Sequence, residues 1–319
     1  MPDRHAYAAR INRVVDHIDA HLGDALDLGA LAAVAHCSPW HFHRVFQALT
    51  GETVAARVRR RRLEVAALRL LASPPEPALR IALDVGFGSA EVFTRAFRAH
   101  FGVTPSAWRR GAHRAHAERR RGEMRKIRQD DRTAHQAVAA GFLQDADVWP
   151  LGRHPRTREH RMEVEIRTLL ETRVAYMRYV GPYGASGIPQ TWQRFGAWCE
   201  AHGLMQPRRR MYGISHDNPE VTAPERCRYD ACVEVDDAFV PQGEIGVQTI
   251  AGGRYACARF LGGADEIHDA WMRFLAEWLP DSHYQPDDRP AFELYERDFF
   301  VDAETGAFPC VLCLPVRPL

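Results

Sequence analysis

No window of this 319-residue chain approaches the roughly 18 consecutive apolar residues that a membrane-crossing helix needs. The stretch MPDRHAYAAR lacks the apolar core of a secretory signal, so export is not expected either. Cysteine is sparse: Cys37, Cys199, Cys227, Cys232, Cys257, Cys310 and Cys313 are odd in number and scattered. In such a chain they read as reduced thiols in the cytoplasm. Cys310-Val311-Leu312-Cys313 has the spacing of a metal knuckle, but no second pair completes it. On a strand, residues three apart also face opposite sides. His36, His41 and His43 make no better site, because helix positions two apart point in different directions. Neither a metal nor a cofactor is expected.

Charge is nearly balanced overall, at +1, but not along the chain. Residues 1–115 carry 16 Arg against 10 acids, and residues 116–160 carry 10 basic against 7 acidic residues. Residues 161–319 reverse the balance, with 16 Arg against 24 acids. A basic first half suits a polyanion, and an acidic second half does not. The chain therefore reads as a nucleic-acid-binding module joined to something else.

The most ordered stretch is Ile81–Arg110. Ile81, Val85, Phe93, Phe97 and Phe101 keep helical spacing, interrupted at Gly86-Phe87-Gly88, where glycines can supply the positive φ of a tight turn. Ser89 stands where an N-cap belongs. Helix, glycine turn, capped helix is the pattern of a helix-turn-helix. SPWHFHRVFQALTG earlier in the chain repeats SAEVFTRAFRAHFG, so the pattern occurs twice. In the first copy the spacing predicts Phe42, Val45, Phe46 and Leu49 inside, with Trp40, His43, Arg44 and Gln47 outside. A helix from about Thr53 to Leu71 joins the copies and holds the arginines of Arg57–Arg62, which we read mostly as a solvated face.

The F-T-R-A-F-R-x-H-F-G run and the closing TPSAWR resemble the second helix-turn-helix of AraC/XylS-type transcription activators. R-x-R-R-L-E-x-A and the first copy fit the same plan. The resemblance implies one reading helix per copy in successive major-groove segments, and a monomer covering roughly 20 base pairs of duplex DNA. It implies Trp40, His43, Arg44 and Gln47 as the first reading set, and Ala90, Glu91, Val92 and Arg95 as the second. Arg44 and Arg95 suit guanine edges or phosphates equally well. Glu91 departs from the neutral polar residue expected there: it suits a cytosine amine, but an acid near phosphates weakens non-specific binding.

Residues 113–160 read as a linker, partly helical and partly mobile. From Val164 onward strands alternate with two amphipathic helices, and Trp192-x-Arg194-Phe195 is echoed by Trp271-x-Arg273-Phe274. Two tandem β-α-β-β units over about 163–317, with the ending P-x-F-E-x-Y…LPV, resemble the gyrase-inhibitor-like small-molecule-binding domain. The expected architecture is thus an all-α DNA-binding domain (1–112), a linker (113–160) and an α+β effector domain (161–319).

On a strand, Glu293 shares a face with Tyr295, while Phe292 and Leu294 share the other, so one pair should be displayed. The resemblance places the glutamate in a pocket that pairs with cationic ligands, with aromatic rings beside it. Tyr179, Tyr183, Trp192, Tyr212 and Trp271 are the further candidates, with core packing the alternative for the tryptophans. The expected function is a cytoplasmic, non-enzymatic transcription regulator, leaning towards activation, with DNA, a small effector and RNA polymerase as partners. Two alternatives stay open: a hydrolase of electrophilic drugs using Glu293 and Tyr295, and a DNA-binding protein without an effector.

Overall fold

Hydroxyl caps open the helices of the first half where the sequence places them. In the computed structural model, which describes residues 4–72, 74–139, 162–184, 186–205, 209–264, 266–297, 299–302 and 305–319, the N-terminal helices are α1 (Arg4–Ala20), α2 (Leu28–Val34), α3 (Pro39–Thr50), α4 (Val54–Arg69), α5 (Ala78–Asp84), α6 (Ala90–Phe101), α7 (Pro105–Ala107) and α8 (His113–Ala139). Ser38, Ser89, Thr53 and Thr104 each accept a backbone N–H at a helix start, meeting donors that the helix cannot satisfy itself. Gly51 and Gly102 end α3 and α6 in the left-handed conformation.

The chain divides into two compact units, the first built from residues up to Arg121 together with Pro219–Ala223 and Val240–Gly246. Two cores lie within it. Ile11, Val14, Ile18, Leu31, Phe42 and Phe46 form the first, and Ile81, Val85, Phe93, Phe97, Phe101 and Trp108 form the second. α4 serves both, giving Val54 to one and Leu63, Ala66 and Leu70 to the other. Each fully buried phenylalanine contributes about 1.5–3 kcal/mol. Leu49, expected inside, is exposed, because the α3 stripe is already filled by Phe42 and Phe46. The stretch expected as a linker is helical as α8 over its first part; the rest of it, 140–160, lies outside the described residues.

The second unit is α+β. Its elements are β1 (Val164–Leu169), β2 (Thr172–Val180), α9 (Gly187–Ala201), β3 (Met211–Ser215), β4 (Arg228–Glu234), β5 (Gly246–Ile250), β6 (Gly253–Gly262), α10 (Ile267–Arg273), β7 (Tyr284–Pro286), β8 (Ala291–Tyr295) and β9 (Phe308–Pro318). The two β-α-β-β units are β2-α9-β3-β4 and β6-α10-β8-β9. Strand order β1-β6-β9-β8-β3-β4-β2-β5 relates them by an approximate two-fold between β8 and β3. The leading strands are exchanged: β1 pairs with β6 of the second unit, and β5 lies beside β2 of the first. At the centre Gly213 faces Glu293, flanked by Met211 with Tyr295 and Ser215 with Ala291.

Residues on both sheet faces are buried. Phe195 of α9, Ala270 of α10 and Phe274 just after α10 are buried, and Ala270 and Phe274 join a core with Tyr295, Leu312 and Leu314. The opposite face carries Tyr176, Tyr212, Tyr255, Phe292 and Cys313. Cys310 and Cys313 accordingly fall in different cores.

Candidate nucleic-acid interface and ligand site

The two reading helices are built alike. In α3, Phe42 and Phe46 point inward while Trp40, His43, Arg44 and Gln47 are exposed, Trp40 at 73%. In α6, Phe93, Phe97 and Phe101 point inward while Ala90, Glu91, Val92, Arg95 and Arg98 are exposed. The Phe93–Phe97 and Phe97–Trp108 pairs meet edge to face at 5.5 and 5.7 Å, which fixes the roll of α6. Trp108 also donates its indole N–H to the Ala67 carbonyl at 3.0 Å, tying the TPSAWR segment to the spacer helix.

The arginines of α4 do something other than expected. Arg57 and Arg61 are buried, and only Arg59 of the run is fully exposed. Arg60 bonds Glu52 at 2.7 Å and Glu64 at 3.0 Å, while Arg61 reaches Glu64 at 2.7 Å and Asp19 at 3.0 Å. Burial pulls the Arg60 pKa down, but the bond to Glu52 and the Glu64 charge more than reverse this. Arg62 donates to three backbone carbonyls: Leu22 at 2.8 Å, Gly86 at 2.7 Å and Asp24 at 2.9 Å. The solvated-face reading is therefore corrected. Glu64 of the same helix, the Glu52 and Asp19 carboxylates and the Leu22, Asp24 and Gly86 carbonyls turn these side chains inward. Arg109 is likewise occupied, bonding the Leu70 and Glu76 carbonyls, and leaves Arg110 exposed. Of the two turn glycines, Gly86 takes positive φ (89°) and Gly88 does not.

The second unit holds a buried carboxylate. Glu293 is 5% exposed, and its Oε2 accepts from the hydroxyls of Tyr229 (2.8 Å) and Tyr295 (3.2 Å). Its Oε1 accepts from the Trp271 indole at 3.3 Å, and Trp192 donates to the Tyr229 hydroxyl at 3.1 Å. Burial raises the Glu293 pKa, with the Tyr229, Trp271 and Tyr295 bonds acting the other way. Burial also pushes both tyrosines well up, so they stay neutral donors. Gly213 makes the arrangement possible. A Cβ there would fall well inside contact distance of both Tyr229 Oη and Glu293 Oε2.

Comparison with known proteins supplies the family. The GyrI-like small molecule binding domain family matches residues 162–317, and a helix-turn-helix domain family matches residues 31–111. The DNA gyrase inhibitor of Edwardsiella piscicida is 32% identical over 160 residues, which are 49% of this chain and 99% of that protein. The chain belongs to the GyrI-like family and carries an AraC-type helix-turn-helix domain ahead of it. The right origin-binding protein of Escherichia coli K12 is 43% identical over 95 residues, 29% of this chain and 32% of that one. Among solved structures, the DNA-binding domain of AdpA in complex with a target DNA shares 32% identity over 33% of this chain and 93% of that chain, with a TM-score of 0.30.

Within the GyrI-like domain the expected ligand residues separate. Trp192, Trp271, Glu293 and Tyr295 come together. Tyr179 pairs with Tyr229 on neighbouring strands but packs its ring over Gly181 and Gly187. Tyr183 is occupied elsewhere, donating to the Arg228 carbonyl at 2.6 Å and accepting from Asp217 N–H at 3.2 Å. Tyr212 lies on the opposite sheet face against Phe292, with ring centroids 5.8 Å apart, so it does not join Glu293. The expectation that Glu293–Tyr295 or Phe292–Leu294 would be displayed is also corrected, since all four are buried. Sequence reasoning missed Tyr229 and Gly213. The period-two run Tyr229, Ala231, Val233 was the available signal for the first. Of the knuckle cysteines, Cys310 shares the core of Tyr295 and feels the Glu293 charge, whereas Cys313 lies on the opposite face.

A second buried carboxylate, Asp230, sits one residue from Tyr229. Arg178 grips it at 2.7 Å, with the His216 ring nitrogen at 2.7 Å and the Gln248 amide at 2.8 Å. Burial works against its charge, yet Arg178 and His216 hold it well below the usual carboxylate range. Its charge is balanced inside the protein. The three groups bonded to Glu293, by contrast, are all neutral.

Proposed function

We propose that this AraC-type protein is a transcription regulator, acting as an activator, whose DNA engagement is set by a small cationic or amphipathic molecule at Glu293. The observation that carries this reading is a buried carboxylate held, among the described residues, by neutral donors alone. A cation placed against it would supply the missing charge, and the half-buried Trp192 and Trp271 rings would add cation–π attraction. Trp40, His43, Arg44 and Gln47, with Ala90, Glu91, Val92 and Arg95, are the proposed reading sets, since all eight are exposed on their helices. A monomer in the cytoplasm contacting RNA polymerase completes the proposal. Binding rather than turnover suits the site, because two hydroxyls and an indole already cap the carboxylate that a hydrolase would need as a free base.

The test is thermal melting of the full chain against a lipophilic quaternary cation, its neutral analogue and an anionic analogue, with Glu293→Gln in parallel. Ligand at about 100 times its dissociation constant adds roughly 2.7 kcal/mol to the unit that binds it. Stabilisation by the cation alone, lost in Glu293→Gln, is the expected result. Equal shifts in wild type and variant would place the ligand elsewhere, and no shift would favour DNA binding without an effector.

A further inference from the structure

We infer that Arg62 is the positioning residue that sets the spacing between the two reading helices, and hence the spacing of the DNA half-sites this protein accepts. The inference rests on the proposed reading that α3 and α6 each enter a major groove. Arg62 lies midway along α4, the helix shared by both cores. Its planar fork makes three bonds at once: Nε to Leu22 O, Nη2 to Asp24 O and Nη1 to Gly86 O. Leu22 and Asp24 belong to the turn that leads from α1 into the first helix-turn-helix, and Gly86 is the turn of the second. One side chain therefore ties the entrance of one reading head to the hinge of the other.

The chemistry suits a spacer that must not flex. The accepting carbonyls lie just beyond the C-terminal ends of α1 and α5, where helix dipoles concentrate partial negative charge. A guanidinium presents its donors in a fixed plane, so three acceptors fix its position and its orientation. A lysine ammonium is a point charge on a flexible stem and cannot do the same. The backbones on either side are packed as closely as glycine allows. A Cβ on Gly86 would lie 2.6 Å from the Arg62 guanidinium carbon and 2.7 Å from Leu22 O, and one on Gly23 would lie 2.5 Å from Asp84 O. Gly23 and Asp84 thus form a second contact along the same seam, independent of the arginine.

Spacing is a sharp readout. One added base pair moves a half-site by about 3.4 Å and turns it by about 34°. A rigid pair of heads can engage only one such arrangement, whereas a flexible pair tolerates several. The experiment selects binding sites from random DNA with the full-length wild type, then measures affinity for that site with its central spacer changed by one or two base pairs. Wild type is expected to lose about tenfold or more per base pair of misfit, and Arg62→Lys to lose less than about threefold. Base preference within each half-site and the salt slope should stay unchanged. Gly23→Ala presses on the same seam from the backbone and should also flatten or displace the spacing optimum, so the test does not hang on one variant. A merely structural role would weaken all spacings equally. A folded Arg62→Lys that keeps the wild-type spacing profile overturns the role of Arg62 alone. A wild type that selects an undivided half-site overturns the two-headed reading with it.

Discussion

Gly213→Ala probes the carboxylate site through a position that carries no functional group. At an ordinary unstrained position the change helps, because alanine restricts the unfolded chain by about 0.4–1 kcal/mol. Here the new methyl would collide with Tyr229 Oη and Glu293 Oε2. Either β3 shifts away from β8, or the tyrosine withdraws from the carboxylate. Overpacking costs about 1–3 kcal/mol, and a buried acceptor stripped of a donor about 1–3 kcal/mol more. Taking these together, about 2–6 kcal/mol with 1 kcal/mol worth about 2–4 °C in a domain of this size, the melting temperature should fall by roughly 4–24 °C. Calorimetry of the full chain should show one unfolding transition falling and the other staying in place. Adding Tyr229→Phe removes the nearer of the two atoms struck, so the two changes should be non-additive by about 1 kcal/mol or more. A melting temperature that rises or stays level in Gly213→Ala would refute the packing argument.

Arg178→Met should cost about 3–5 kcal/mol in urea unfolding by leaving the Asp230 charge buried without its main partner. The wild-type contribution has a definite sign: complete above the ordinary aspartate value of 3.8, it is lost as pH falls through the depressed native value, so the gap between the proteins should close in strong acid. Cation affinity at Glu293 should fall as pH drops through its raised pKa, above the ordinary 4.5, and titration calorimetry at several pH values reads this directly. Arg44→Ala and Arg95→Ala should each cost about 1–3 kcal/mol of specific DNA affinity and relax preference at one base pair. An unchanged preference with a salt slope smaller by about 1 would assign that arginine to phosphate instead.

The caps, stripes and glycine stops of the reading helices were legible because each is a local device, decided within one or two turns. The tandem strands were legible for the same reason, since their period is written residue by residue. The arginine run on α4 was misread because the partners that draw Arg61 and Arg62 inward are not all local. Asp19, Leu22 and Gly86 lie tens of residues away in sequence, and a one-dimensional pattern cannot reveal that a guanidinium has three carbonyls waiting. Tyr229 and Gly213 escaped for a related reason. A tyrosine hydroxyl that crosses a neighbouring strand to reach a carboxylate leaves no mark in spacing, and a glycine chosen for clearance looks like any other. Two-sided burial of β8 was missed because Glu293 read as polar, although its three neutral donors are what permit a carboxylate inside a core.

The approximate two-fold of the GyrI-like domain gives the site its logic. It relates α9 to α10, Trp192 to Trp271 and β3 to β8, and it carries Gly213 onto Glu293 across the central strand pair. Had both positions been glutamate, two buried carboxylates would have faced each other, and their repulsion would have forced a proton onto one of them. With glycine at one position, a single charge remains, and the space left by the absent side chain admits Tyr229 as a donor. The tryptophans keep the symmetry while the charge breaks it, so one indole reaches the carboxylate directly and the other reaches it through the tyrosine hydroxyl. On the proposed reading, one buried carboxylate between two nearly equivalent aromatic walls suits a single flat or bulky cation better than a pair of small ones.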